Sequence, residues 1–246
     1  MIGYDVFSQY YDALTFNVDY SARAEYIQKI FAGLNHNMGL SLDLACGTGS
    51  LTCELKKRGV DIYGIDASVD MLSIANEKAH EQNLDILFIK QNMQSIDLFG
   101  TIDTCICTLD SINHLTDIKD VKKTFKNLSV FMNPGAYFLF DVNTVFKHRN
   151  ILADNTFVYD VGEVFCVWQN SLEKNNVVAI DLDFFVREKN IYHRFSESFK
   201  ERAYYTDELK EVLNESGFEV VKIYDDMTFD DAKEDSERLV FVARKI

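Results

Sequence analysis

Proline is almost absent from this sequence: Pro134, which opens a Pro-Gly turn, is the single one in 246 residues. With no internal repeat and no low-complexity tract either, no linker divides the chain, and its boundaries must come from changes in hydrophobic period. Long apolar runs are missing too. None approaches the ~18 residues that a membrane-spanning helix requires. The opening MIGYDVFSQYYD has acidic and aromatic residues where a signal peptide would have basic and then apolar ones. The cysteines (Cys46, Cys53, Cys105, Cys107, Cys166) are odd in number and lack CxxC spacing. Most lie in apolar segments where a thiol packs as a small hydrophobe, so they read as reduced and structural. A soluble, cytoplasmic protein without a membrane partner is expected.

Positive charge is also scarce. Lys and Arg number 25 against 39 Asp and Glu, a net charge of −14 at pH 7, which repels nucleic acid and anionic headgroups unless a local basic patch overcomes the field. The densest basic run, Lys56, Lys57 and Arg58, ends a predicted helix, where cations offset the macrodipole. A small-molecule substrate is expected rather than nucleic acid. What the chain does have is apolar content, 47% hydrophobic and 13% aromatic, enough to bury one large α/β core with an insertion.

Residues 5–35 recur near helical spacing, with a break around Phe16–Tyr20, and predict a cap of one or two helices (1–36). From Leu40 to about Phe146 short apolar runs alternate with amphipathic segments, the rhythm of βαβ units. Strands are expected at Leu40–Leu44, Asp61–Ile65, Ile86–Lys90, Thr104–Cys107 and Ala136–Asp141, each apolar enough for a parallel sheet buried on both faces. Helices are expected at Ser50–Arg58, at Ser68–Gln82 with Ser68 as N-cap, and at Asp117–Met132 with Ile118, Val121, Phe125 and Leu128 on one side. After Phe146 the period falls to two. Phe157–Trp168, Val177–Arg187 and Ile191–Tyr205 read as a three-stranded antiparallel meander over 147–205, a lid or an interface. Thr206 then caps a helix through Ser216, and Phe218–Tyr224 and Leu239–Arg244 return to the main sheet. The expected fold is therefore α/β: a doubly wound, mostly parallel seven-stranded sheet with an antiparallel last strand, built from 1–146 and 206–246.

One motif carries chemistry. Leu42-Asp43-Leu44-Ala45-Cys46-Gly47-Thr48-Gly49-Ser50 follows an apolar strand and opens a helix, so Gly47 and Gly49 are expected to let the backbone approach a ligand. The second strand ends at Ile65-Asp66, where a carboxylate can accept from both ribose hydroxyls. A nicotinamide fingerprint needs a third glycine where this chain has Thr52, and a P-loop needs a Gly-Lys pair that is absent. Asp43 beside the turn disfavours a pyrophosphate and suits an ammonium.

LDLACGTG followed by GIDAS resembles the class I S-adenosylmethionine-dependent methyltransferases, over roughly residues 38–145. The final strand pair is similar to that family's antiparallel end, which dehydrogenases lack. The resemblance implies S-adenosylmethionine as cofactor and the following roles. The turn from Asp43 to Gly49, including Ala45 and Cys46, would hold the methionine moiety, with Asp43 or the Ala45 carbonyl facing the ammonium. Asp66 and Ala67 would meet the ribose, and Ser68 and Met71 would flank the adenine. Where the family usually has an acid for the adenine amino group this chain has Asn92-Met93, and the Asn92 oxygen can still accept. Cys107 and Leu109 at the fourth strand's end would pass beneath the sulfonium, and Tyr11 or Tyr20 would close over the cofactor unless both are plain aromatic packing.

A methyl group on a sulfonium is already activated, so the protein has mainly to align the acceptor and exclude water, with a base where an oxygen or acidic carbon attacks. Asp110, His114, Asp141 and Asn143 fall at strand ends. His114 and Asp110 are the candidate catalytic residues, although a histidine there also suits plain packing beside the next helix. His36, His80, His148 and His193 lack ligand-spaced companions, and no metal is expected. Substrate contacts are expected from the meander and from Glu201–Tyr205, with Asn143, Arg202 and Tyr204 as candidates. Arg202 would bind an acidic group or pair with Glu201 or Asp207. The meander resembles the inserted sheet of small-molecule N-methyltransferases of this class, including those acting on amino sugars or glycine. Its aromatics (Trp168, Phe184, Phe185, Tyr204, Tyr205) would line a pocket or join two copies in a homodimer. The expected activity is methyl transfer to a small molecule at nitrogen or oxygen. The alternatives are a nicotinamide-dependent oxidoreductase, a non-catalytic protein that senses S-adenosylmethionine, and a nucleic-acid methyltransferase.

Overall fold

The computed structural model describes residues 4–246, with side chains from Ser8 onward, so residues 1–3 of the expected cap lie outside the described residues. Two helices, α1 (Tyr4–Leu14) and α2 (Tyr20–Gly33), lead into β1 (Leu40–Leu44). The βαβ rhythm follows as α3 (Ser50–Lys57), β2 (Asp61–Asp66), α4 (Val69–Glu81), β3 (Phe88–Lys90), β4 (Ile102–Cys107), α5 (Ile118–Val130) and β5 (Met132–Asn143). The helix starts are chemically marked: the Ser68 hydroxyl accepts from the Met71 N–H at 3.2 Å and Asp117 accepts from the Lys119 N–H at 2.9 Å, each satisfying an end donor that the helix cannot.

The main sheet has seven strands. Including β10 (Phe218–Asp225) and β11 (Arg238–Lys245), its order is β10-β11-β5-β4-β1-β2-β3. β11 is antiparallel to both neighbours, while β1 pairs in parallel with β2 on one side and β4 on the other. The strand order thus reverses at β1, and open α/β sheets bind ligands at the carboxyl ends of strands beside such a switch. On one face Val121, Phe125 and Leu128 of α5 and Leu209, Val212 and Leu213 of α7 (Thr206–Glu215) cover Phe138, Phe140 and Phe241. On the other, Ile27, Ile30 and Phe31 of α2 and Leu51 and Leu55 of α3 cover Ile62, Ile106 and Leu139. All five cysteines are free.

Between β5 and α7 the chain makes a single turn α6 (Val145–Lys147), a π-helical turn (His148–Leu152) and a second sheet. That sheet has four strands rather than the expected three: β6 (Thr156–Val161), β7 (Val164–Leu172), β8 (Val177–Glu188) and β9 (Ile191–Arg202). Gly162, at φ +61°, lets Val161 pair with Val164 across a two-residue hairpin and splits the expected Phe157–Trp168 strand. Val164, Cys166, Val178, Ile180, Leu182 and Phe184 form its buried face, and Tyr10 and Leu14 of α1 pack against it.

Other departures are small. The Pro134-Gly135 kink lies within β5, where the pairing with β4 jumps from Ile102↔Met132 to Thr104↔Tyr137. Tyr205, not Thr206, is the N-cap of α7, and its N–H donates to the Glu208 carboxylate at 2.8 Å. On α5, Lys119, Lys122, Lys123 and Lys126 share one groove that no basic run in the sequence marks, although Lys122 is paired with Glu215. No helix among the described residues is long and apolar enough to cross a membrane.

Candidate active site

Where β1 ends, Ala45 and Gly47 both turn through the left-handed region (φ +61° and +54°) and α3 begins directly after Gly49. The Gly47 N–H donates to Asp66 Oδ2 at 2.9 Å, and the Ser68 N–H donates to Asp66 Oδ1 at 2.8 Å. The carboxylate is thereby fixed at the end of β2 with lone pairs left for further donors. Beside Gly47 lies open space: a Cβ built there would meet nothing within 4 Å. Gly49 differs. A Cβ there would fall 2.9 Å from both the Ala75 Cβ and the Phe88 ring, so its missing side chain serves the packing of α3 against α4 and β3 rather than a ligand.

These elements open into a cavity of about 370 Å³ lined by Tyr11, Ala45, Gly47, Asp66, Ala67, Met71, Asn92, Met93, Leu109 and His114, together with Gln91, Gln94, Ser111, Leu115 and Phe199. Nine of the residues singled out from the sequence for cofactor contacts therefore meet in one space, with His114 at its wall. The others lie elsewhere. Asp43 is buried, and Thr52 donates to its carboxylate at 2.5 Å; burial, with the Asp66 charge adding, pushes its pKa up to about 7 against that hydrogen bond. Cys46 packs toward Gly64, Cys107 is fully buried, and Ser68 is spent on capping α4. Tyr20 has its hydroxyl 3.4 Å from that of Thr15 and packs against the core cluster of α2, the packing alternative of its two readings.

None of the three candidate substrate residues lines the cavity. The Arg202 guanidinium lies over the Tyr204 ring, 4.5 Å from its centroid, and pairs with Glu208 at 3.4 Å, which is the structural alternative, though with a different carboxylate than expected. The Tyr204 hydroxyl donates to the Leu115 carbonyl. Asn143 is buried and donates from Nδ2 to Asp110 at 2.6 Å while Lys147 donates to its oxygen at 3.0 Å.

Behind the cavity wall is a dense ionic cluster. Asp141, wholly buried, accepts from the N–H groups of Leu109 (2.9 Å) and Asp110 (2.7 Å) and pairs with Arg23 (3.3 Å) and Arg238 (2.5 Å). Leu109 and Asp110 both sit at φ +55°, a conformation costing about 1–3 kcal/mol per residue that Asp141 holds in place. Asp110 is itself paired with Arg238 at 3.0 Å rather than turned into the cavity. Burial raises its pKa, but Arg238, Lys147 and His114 outweigh that and hold it down at about 2, so it stays a carboxylate and is no proton donor near neutrality. Desolvation by the protein around it lowers the pKa of His114, whose side chain is still 41% exposed, against the attraction of Asp110 and Asp66, and favours the neutral ring.

Two residues complete this region: Glu201, read from the sequence only as part of the Glu201–Tyr205 run and as a partner for Arg202, and His148, read there only as lacking a metal-ligand companion. Glu201, 4% exposed, lies behind His114, and His148 is fully buried beside it. The period-two rule carries Phe199 and Glu201 on the same face of β9, but only the fold brings that face to the end of β4.

A glycine turn, a strand-end acid and a cavity at the switch point define a nucleoside-binding α/β enzyme, and the comparisons place it within that class. A family model described as "Methyltransferase domain" matches residues 42–135. "Putative methyltransferase YqeM" of Bacillus subtilis (strain 168) is 34% identical over 244 residues, covering 98% of this chain and 97% of its own. The crystal structure of an S-adenosylmethionine-dependent methyltransferase from Clostridium acetobutylicum ATCC 824 superposes with a TM-score of 0.90 at 32% identity over 98% of both chains. A glycine/sarcosine N-methyltransferase of Halorhodospira halochloris is 25% identical over 213 residues, 83% of this chain and 74% of its own. The chain belongs to the class I S-adenosylmethionine-dependent methyltransferases.

Proposed function

We propose that the enzyme methylates a small molecule at nitrogen or oxygen, with the cofactor and the acceptor meeting in the cavity between the ends of β1, β2 and β4 and the second sheet. The observation that carries this reading is the composition of that one cavity. One end is backbone turn and carboxylate (Ala45, Gly47, Asp66), and the other is Tyr11, His114, Leu115 and Phe199, brought in by α1, the β4 loop and β9. The residues fit S-adenosylmethionine: the space beside Gly47 admits a ligand against the backbone, and Asp66 retains acceptor capacity for ribose hydroxyls. When bound, that cofactor supplies an electrophilic methyl group on sulfur.

The chain's own part is binding, orientation and proton handling. Asp66 orients the nucleoside, and Met71, Asn92 and Met93 flank its base. The Asn92 side-chain oxygen accepts from the Gln94 N–H at 2.9 Å and keeps a second lone pair for an amino group. Tyr11 and Phe199 form a roof that excludes water, which strengthens the electrostatics beneath it. His114 receives the acceptor's proton. Residues 147–205 serve as this roof, and 1–146 with 206–246 form the catalytic domain. A nicotinamide enzyme is disfavoured because Thr52, at the third-glycine position, uses its hydroxyl to bury Asp43. A purely sensory protein is disfavoured because the same cavity carries His114, a side chain able to take up a proton.

Purified enzyme incubated with methyl-tritiated S-adenosylmethionine and a deproteinised cell extract is expected to label the low-molecular-weight fraction. Label found instead in added RNA, DNA or protein would contradict a small-molecule acceptor.

A further inference from the structure

The geometry points to a proton relay of three residues, His114, Glu201 and His148, in which Glu201 is a positioning residue for His114 and shares one buried proton with His148. The inference rests on the methyl-transfer reading and deepens it. His148 Nδ1 lies 2.9 Å from the Asn176 carbonyl oxygen, which can only accept, so Nδ1 bears hydrogen. Its Nε2 is buried, has no hydrogen-bond partner, and stands 3.9 Å from Glu201 Oε2. A lone pair facing a carboxylate in a dry site would be repelled and unsatisfied. One proton between the two atoms removes both penalties, as a carboxylic acid facing a neutral imidazole or as a carboxylate facing an imidazolium.

Glu201 Oε1, the other oxygen, lies 3.7 Å from His114 Nε2. Its 3.7 Å separation is longer than a formed hydrogen bond, as catalytic contacts commonly are before ligands close the site. An oxygen facing Nε2 favours hydrogen on that atom and leaves Nδ1 with its lone pair, the tautomer that can take up a proton from the cavity. The His114 ring packs against Phe199 with centroids 5.2 Å apart and the planes tilted by 35°, a contact that restricts rotation of the imidazole.

The proton balance is simple. An N–H or O–H acceptor gains a methyl group and loses one proton. The electron pair of the broken S–CH3 bond stays on sulfur, the former X–H pair stays on the acceptor atom, and the proton passes to His114. Every element around Glu201 contributes a charge or dipole: Asp110 from the β4 loop, Asn143 from β5, Lys147 from α6, Arg238 from β11, and the two histidines. Burial first, then the charge of Asp110, pushes the Glu201 pKa up to about 8 against the pull of Arg238, Asn143 and Lys147. Burial lowers that of His148. The shared proton therefore rests on Glu201 near neutrality, and the carboxylate becomes available to His114 when that proton passes from Oε2 to His148 Nε2, making an imidazolium.

The test is an NMR titration of full-length protein carrying 13C-labelled histidine, with signals assigned by single substitutions. In the wild type the His114 and His148 ring signals should each show a second step near pH 8, when Glu201 ionises beside them. In E201Q that step should vanish from both rings, while S-adenosylhomocysteine binds within about twofold of wild type by calorimetry. In H114Q the His148 signal should keep its step, which separates loss of the Glu201 proton from general disruption. A wild-type protein with no step near pH 8 on either ring, or an E201Q protein that retains it, would overturn the relay. S-adenosylhomocysteine binding in the wild type reports on the methyltransferase reading separately: its absence would strike at that reading, whatever the histidines do.

Discussion

At the residue scale the two glycines of the LDLACGTG turn separate ligand approach from packing. Gly47→Val should abolish S-adenosylmethionine binding, because its side chain enters open space beside the turn, while a folded protein remains that has lost about 1–3 kcal/mol to a β-branched residue at φ +54°. Gly49→Ala should do the reverse and lower the melting temperature, because its Cβ would collide with Ala75 and Phe88. Melting and calorimetry on both variants decide the matter; if Gly47→Val still binds as wild type does, the turn is wrongly assigned. Asp43 offers a pH test. Its folded pKa is raised from 3.8 to about 7, chiefly by burial, so the folded state holds that proton more tightly than the unfolded chain. This contribution to stability is complete below 3.8 and is lost as pH rises through about 7. Asp43→Asn should therefore gain stability relative to wild type across that window in urea titrations, and parallel pH profiles would contradict a buried acid. The glycine turn and Asp66 were legible in the sequence because a local backbone requirement fixes their spacing. Glu201 and His148 were not, because nothing local marks a carboxylate and an imidazole that meet only through tertiary contact.

At the element scale the strained Leu109-Asp110 turn depends on Asp141. Arg23 of α2 and Arg238 of β11 converge on the same carboxylate, so one buried acid joins the cap, the β4 loop and the last strand. Asp141→Ala leaves two N–H donors without an acceptor and removes one carboxylate from Arg23, which keeps Asp226, and from Arg238, which keeps Asp110 and Asp226, and should destabilise the fold by about 3–5 kcal/mol. A loss below ~1 kcal/mol in denaturant titration would show that the network relaxes without it. The βαβ elements were readable because short apolar strands and capped amphipathic helices carry distinct periods, as Ser68 and Asp117 illustrate. The Gly162 hairpin was missed for the converse reason: β6 and β7 alternate on both sides of a two-residue turn, and one glycine within a continuous period-two run looks like a bulge.

At the scale of the whole molecule, the sheet order and the inserted second sheet produce one cavity that neither part makes alone, with Ala45, Gly47 and Asp66 from the main sheet and Phe199 from the other. The net charge of −14 argues against a polyanionic acceptor even though α5 gathers four lysines in one groove. Charge run by charge run, the sequence concealed that groove, because helical spacing rather than adjacency assembles it. The cofactor half of the site follows from motif and topology together. The acceptor half depends on how β9 and the β4 loop meet, which no single stretch of sequence encodes.

The most direct measurement is isothermal titration of the purified protein with S-adenosylmethionine, S-adenosylhomocysteine and NAD in parallel. Micromolar binding of the two sulfur nucleosides and none of NAD is the predicted result. Binding of NAD alone would contradict the assignment of the cavity and with it the account of Gly47, Asp66 and His114.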